Sequence, residues 1–208
     1  MQRPTTKLRQ LLAEKDFLYW PSLYYPLGGR VAEQIGIESA YVGGYVTGGS
    51  LAVSEPLLTM DEQVRVAGSV ARAGSIPIVA DAGAGFGEPL HCMRTVREFI
   101  AARVAGIHIE DQLDPKRAHY HKYVAHAVPA EEFIDKLRFA CRQRDESDQD
   151  FVILARTDTC RCRSITTSRG SRTFGANATV TRHSRAPFPT SRNANSLAMR
   201  AALRSMCA

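Results

Sequence analysis

Gly106-Ile107-His108-Ile109-Glu110-Asp111 is a short apolar run that stops at two acids. Runs of that length, apolar nearly throughout, are what strands covered on both faces look like in sequence. Similar runs occur at residues 17–20, 39–42, 76–80 and 151–155, giving five expected strands. Residues 28–36, 59–74, 88–105 and 129–144 lie between them and carry apolar positions at three and four spacing. This alternation predicts a parallel sheet with crossover helices. Thr59-Met60-Asp61-Glu62 opens one helix with a capping residue and early acids, and Pro129-Ala130-Glu131-Glu132 opens another with proline in the first turn.

The residues at the carboxyl end of each run point to chemistry. Gly43-Gly44 come after the second run, Asp81 after the third, Glu110-Asp111 after the fourth and Arg156-Thr157-Asp158 after the fifth. In a (βα) barrel these carboxyl ends converge on one face, where such folds carry their active sites. An open doubly wound sheet also binds ligands at carboxyl ends, and five strands alone do not separate the two. Asp81 and Glu110 are hard oxygen donors of the kind Mg²⁺ takes. The plainer reading is that one carboxylate caps a helix and the other pairs with Arg156 or Lys116.

Other motifs carry less. Gly83-Ala84-Gly85-Phe86-Gly87 lacks the final offset glycine of a dinucleotide fingerprint and comes after the third run rather than the first strand of a βαβ unit. His119, His121 and His126 do not show the spacing of a zinc site. A loop over the pocket, with one histidine or tyrosine donating a proton, is the preferred reading of that segment. Cys160-Arg161-Cys162 has one intervening residue instead of two and is assigned no role.

The net charge of +6 belongs to one end of the chain. From residue 161 to 208 there are nine arginines and no lysine, aspartate or glutamate, so the first 160 residues hold 18 basic and 21 acidic side chains. A mildly acidic body argues against nucleic acid as a partner. Five cysteines at no framework spacing fit reduced thiols, and no apolar run approaches the roughly 20 residues of a membrane span. The expected location is the cytoplasm and the expected partner a small-molecule substrate.

The ordered motifs Asp81 to Gly87, Ile107-His108-Ile109-Glu110-Asp111-Gln112 with Pro115-Lys116-Arg117, and Val152-Ile153-Leu154-Ala155-Arg156-Thr157-Asp158 resemble the isocitrate lyase/phosphoenolpyruvate mutase family over about residues 7 to 160. The resemblance implies a TIM-type (βα)₈ barrel, here incomplete at about five βα units, and a Mg²⁺ cofactor. It implies chemistry on 2-oxo or 2-hydroxy acids through an enolate-like species. Asp81 and Glu110 match the metal-site carboxylates, and Glu55 lies near a supporting aspartate. Gly43, Gly44 and Tyr45 fall at the substrate-binding turn, Arg156 matches an arginine that grips substrate, and Lys116 matches the loop lysine. Tyr120 and His121 are further proton-handling candidates. The family also suggests a homo-oligomer, which the shortened chain need not complete.

Several positions depart from the family pattern. The metal turn, usually Asp-x-Asp-Thr-Gly, is Asp81-Ala82-Gly83-Ala84-Gly85, so the second carboxylate is missing. The lyase loop Lys-Lys/Arg-Cys-Gly-His becomes Lys116-Arg117-Ala118-His119-Tyr120-His121, without its cysteine, and Gly43 replaces a usual serine. The leading expectation is a Mg²⁺-dependent carbon–carbon lyase acting on a small 2-oxo or 2-hydroxy dicarboxylate. A phosphonate-forming mutase is the enzymatic alternative. An inactive fragment is the other class, because missing strands would leave sheet edges unpaired. Residues 1–160 are expected to form the barrel part. Residues 161–208, rich in Arg, Ser and Thr, are expected to be an out-of-frame or disrupted gene end, the alternative being a basic tail for acidic partners.

Overall fold

The computed structural model describes residues 2–116 and 126–157. Its elements run α1 (Pro4–Glu14), α2 (Pro26–Gln34), β1 (Ala40–Val42), α3 (Gly44–Leu51), a 3₁₀ turn (Glu55–Leu57), α4 (Met60–Ala73), β2 (Ile78–Asp81), α5 (Pro89–Ala101), β3 (Gly106–Glu110), α6 (Ala130–Ser147) and β4 (Val152–Arg156). The four strands pair in parallel in the order β1-β2-β3-β4. A doubly wound sheet would reverse its order at a switch point, whereas this order simply continues, as it does around a (βα) barrel. The fold is the TIM-type barrel architecture, represented by four of its strands among the described residues.

The alternation of side chains along a strand builds two cores. Ala40, Val42, Ile78, Ala80, Ile107 and Ile109 point outward into one buried cluster with Val66, Val70, Phe99 and Phe133 of the helices. Val79 and Val152 point inward into a smaller cluster with Leu8 of α1 and the partly buried Tyr41 and Leu154. The same alternation places Asp81, His108, Glu110 and Arg156 on the inner face. Phe99, Phe133 and Phe151 have no exposed surface, and each contributes on the order of 2 kcal/mol by burial.

Helix α1 closes the amino ends of the strands. Arg3 reaches Asp148 at 3.1 Å and Asp150 at 2.9 Å. Thr5 and Thr6 donate to the same two carboxylates, and Arg9 donates to the Asp150 carbonyl at 2.9 Å. That leaves the carboxyl ends as the face open to chemistry. Helix α4 starts as expected: Thr59 Oγ1 accepts from the Glu62 amide at 3.3 Å while Glu62 accepts from the Thr59 amide at 2.8 Å.

The expected strand at 17–20 is not one. Phe17 and Tyr19 are 79% and 62% exposed, while Leu18 and Trp20 lean on the inner cluster. Pairing with β1 is a single bridge, Ser22 to Tyr41, flanked by Leu23 N–H to the Tyr41 carbonyl at 2.7 Å and Tyr41 N–H to the Pro21 carbonyl at 3.0 Å. Pro21 has no N–H to extend the ladder. Helices α1 and α3 lie outside the expected elements, and α6 runs to Ser147, past the expected end at 144. No helix among the described residues is long and apolar enough to cross a membrane.

Candidate active site

Asp81 and Glu110 end adjacent strands at the carboxyl face, and Glu55 stands beside them on the 3₁₀ turn. Asp81 ends β2 and is 8% exposed. Its Oδ1 accepts from the Gly83 amide at 2.8 Å and stands 3.2 Å from His108 Nε2, and its Oδ2 accepts from the Gly44 amide at 3.1 Å. Burial alone would raise its pKa, but His108, Lys116 and the two amides more than offset that and hold it below the usual carboxylate range.

Glu110 ends β3 and is 1% exposed. Its Oε1 lies 2.6 Å from Lys116 Nζ and its Oε2 lies 3.0 Å from Arg156 of the neighbouring β4. The register makes the second contact inevitable, since Glu110 and Arg156 are direct partners across the ladder. Lys116 Nζ also lies 2.6 Å from Glu55 Oε1 on the 3₁₀ turn. Burial works against the ammonium, yet Glu110 and then Glu55 outweigh it and raise the lysine pKa. Such a lysine holds charge firmly, which suits electrostatic work better than proton transfer at neutral pH.

The Gly-rich turns are shaped by contact. A β-carbon on Gly44 would stand 3.1 Å from Asp81 Oδ2 and 3.1 Å from Glu55 Cγ, so a larger residue where β1 passes into α3 would push on two carboxylates. Gly85, at φ +87°, could carry no side chain without striking the Cys92 sulfur. Gly85 and Gly87 are therefore required by packing against Cys92 and His91 of α5.

Asp81, Gly44, Glu55, Lys116, Gly83 and Asp114 line one small cavity with Gln63, Phe86 and neighbouring apolar groups. Glu110 and Arg156 are not on its wall and reach it through Lys116. A β-carbon on Gly43 would stand 3.1 Å from the Tyr41 ring and 3.7 Å from Ser22 Oγ. Tyr45, placed at the substrate turn by resemblance, is 81% exposed. Tyr120 and His121 lie outside the described residues, as do His119, Asp158 and residues 161–208. His126 is described and exposed. Just before Lys116, residues 111–113 are tied to 126–128 by a Gln112–Ala127 bridge and by Leu113 and Val128 N–H bonds of 2.7 and 2.8 Å. Thr157 Oγ1 donates to Asp111 at 2.5 Å, joining the ends of β3 and β4.

Three participants escape a reading of the sequence. His108 lies between Ile107 and Ile109 and faces inward, stacked on Tyr41, whose hydroxyl is 2.5 Å from His108 Nδ1. Gln63, 1% exposed, donates to the Val42 carbonyl at 3.1 Å and turns its own unpartnered Oε1 inward at the cavity wall. The available signal is a lone polar residue inside an apolar pattern, for both His108 and the buried phase of α4.

The donor chemistry fits Mg²⁺: Asp81, Glu110 and Glu55 are all oxygen ligands. As they stand, no three His, Cys, Asp or Glu side chains among the described residues are drawn together around one point. A cation does sit among them, the Lys116 ammonium, at 2.6 Å from two of the three carboxylates.

Residues 8–185 match the family model described as phosphoenolpyruvate phosphomutase. The chain is 37% identical over 155 residues to 2,3-dimethylmalate lyase of Eubacterium barkeri, covering 73% of this chain and 52% of that protein. It is 38% identical over 161 residues to the chloroplastic carboxyvinyl-carboxyphosphonate phosphorylmutase of Arabidopsis thaliana, covering 75% and 46%. A crystal structure of phosphonopyruvate hydrolase in complex with oxalate and Mg²⁺ superimposes with a TM-score of 0.66 at 29% identity, over 75% of this chain and 53% of that one. The chain thus spans about half the length of the curated relatives it matches.

Proposed function

Since the chain belongs to the isocitrate lyase/phosphoenolpyruvate mutase family, we propose that its carboxyl-face site serves a Mg²⁺-dependent carbon–carbon lyase acting on a small 2-oxo or 2-hydroxy dicarboxylate. The observation that carries this is the Asp81, Glu110 and Arg156 set on three adjacent strand ends, with Lys116 and Glu55 closing it from the loops. Asp81, Glu110 and Glu55 would hold the ion, which supplies Lewis-acid polarisation of a substrate oxygen. Arg156, at the end of β4 beside Glu110, carries the planar guanidinium that suits a substrate carboxylate. Gly44 gives its amide to Asp81, so it fixes the carboxylate and leaves the substrate to Arg156. His108 and Tyr41 hold Asp81 from the inner side. Arginine and lysine aimed at developing enolate charge in a shielded pocket lower the barrier electrostatically. A cytoplasmic location and a homo-oligomeric assembly belong to the same proposal.

A phosphonate-forming mutase is the second reading. The loop supports it, because Lys116-Arg117-Ala118 has no cysteine to act as the lyase acid. An inactive fragment is the third, supported by the missing second carboxylate at Gly83 of the metal turn. The test is to incubate the purified chain with Mg²⁺ and a panel of substituted malates and 2-methylisocitrate, following release of a 2-oxo acid, with phosphonopyruvate in parallel. Release from a dicarboxylate supports the lyase, and turnover of phosphonopyruvate alone supports the mutase. A folded chain silent on both supports the fragment.

A further inference from the structure

We propose that the Lys116 ammonium and a divalent cation occupy the carboxylate cluster alternately, the lysine serving as an internal counter-cation that the metal must displace. The proposal rests on the metal reading of Asp81, Glu110 and Glu55 given above. Lys116 Nζ is 2.6 Å from Glu110 Oε1 on β3 and 2.6 Å from Glu55 Oε1 on the 3₁₀ turn. A Mg²⁺ ion sharing those oxygens needs them near 2.0–2.1 Å, in an octahedron that leaves no place for an ammonium between the same two atoms. A dication beside a buried ammonium would also meet strong repulsion.

The missing second carboxylate fits this arrangement. A β-carbon on Gly83 would be 3.9 Å from Lys116 Cε, so the lysine stem runs over the position from which the family's second turn aspartate would project. With the turn carboxylate gone, lysine lies across that space and pairs with Glu110 and Glu55. Glu110 retains Arg156 whether or not lysine is present. Asp81 retains two amides and His108. When Lys116 leaves, Glu110 therefore loses one of its two ion pairs and Glu55 loses its ion pair with the lysine.

The experiment uses the full chain and Mn²⁺, followed by the paramagnetic resonance of the free ion. Lys116→Met keeps the stem and removes the charge, and it should tighten Mn²⁺ binding at least tenfold. Equal or weaker binding by a folded Lys116→Met overturns the proposal. The parent chain supplies a second test that needs no variant: saturating Mg²⁺ should expel the ammonium and speed reductive methylation of Lys116 several-fold, read by mass spectrometry. Labelling that is unchanged or slowed by bound Mg²⁺ also overturns it. If neither the parent nor Lys116→Met binds Mn²⁺ at millimolar concentration, the metal reading itself fails, which is a different result from equal affinities.

Discussion

Lys116 Nζ and Glu110 Oε1 stand 2.6 Å apart, with the Glu110 side chain wholly withdrawn from solvent. Because Glu110 also receives Arg156 at 3.0 Å, it is a buried anion shared by two cations. Glu110→Gln removes that charge and leaves both cations short of a partner. Breaking a buried pair in this way is expected to destabilise the chain by about 3 kcal/mol. Chemical denaturation of the two proteins measures it, and a loss under about 1 kcal/mol would show that the pair is not buried in solution.

Gly44→Ala places a methyl 3.1 Å from both Asp81 Oδ2 and Glu55 Cγ. The carboxylates must give way, at roughly 1–3 kcal/mol for overpacking. Mn²⁺ affinity should fall more than thermal stability does, since the displaced atoms are those assigned to the ion. An alanine variant that binds Mn²⁺ like its parent would contradict the placement of Asp81 against Gly44.

Tyr41→Phe deletes the hydroxyl that sits 2.5 Å from His108 Nδ1. The loss in stability should be near 1 kcal/mol, the ordinary worth of one hydrogen bond. The more telling readout is the His108 ring in a ¹⁵N spectrum, where its tautomer balance should change once the hydroxyl is gone. An unchanged ring signal would mean that Tyr41 does not set the orientation of the imidazole.

Whether a residue of this site is legible in the sequence depends on its surroundings. β2 and β3 are legible because every residue in them is buried, so composition alone marks them. Asp81 and Glu110 are legible because each ends such a run, and Arg156 because it ends the apolar Val152 to Ala155 stretch of β4. Residues 17–20 mislead for the opposite reason: Leu18 and Trp20 lean inward while Phe17 and Tyr19 are exposed, giving the alternation of a strand with almost none of its hydrogen bonds. Helix α3 is hidden by three glycines in eight residues, a composition with poor helix propensity that tertiary contact overrides. Gln63 and His108 are polar groups placed by packing, and only their neighbours in space explain them.

Acid should weaken the tie between Glu33 and Ser75. Glu33 of α2 accepts from the Ser75 amide at 3.2 Å and from its hydroxyl. The Ser75 hydroxyl, then its amide, lower the Glu33 pKa below 4.5. A depressed carboxylate stabilises the fold above its unfolded pKa, and that contribution disappears as pH falls through the folded value. Ser75→Ala should therefore lose about 0.5 kcal/mol at pH 7 and much less near pH 3, because this is a solvent-exposed contact. Parallel denaturation at the two pH values checks the sign, and a larger loss in acid would reverse the assignment.

The α1 clasp has a kinetic consequence. Arg3, Thr5, Thr6 and Arg9 hold groups at residues 148–151, so contacts made by the first helix are separated from their partners by more than 140 positions. Closing so long a loop carries an entropic penalty that local helix contacts do not offset. During synthesis α1 is made long before its polar partners, which emerge only with the segment leading into β4, and Leu8 gains Val152 as a neighbour only then. The earliest element made is thereby among the last to be locked, and cutting the chain within residues 3–9 should release β4 rather than the helix alone.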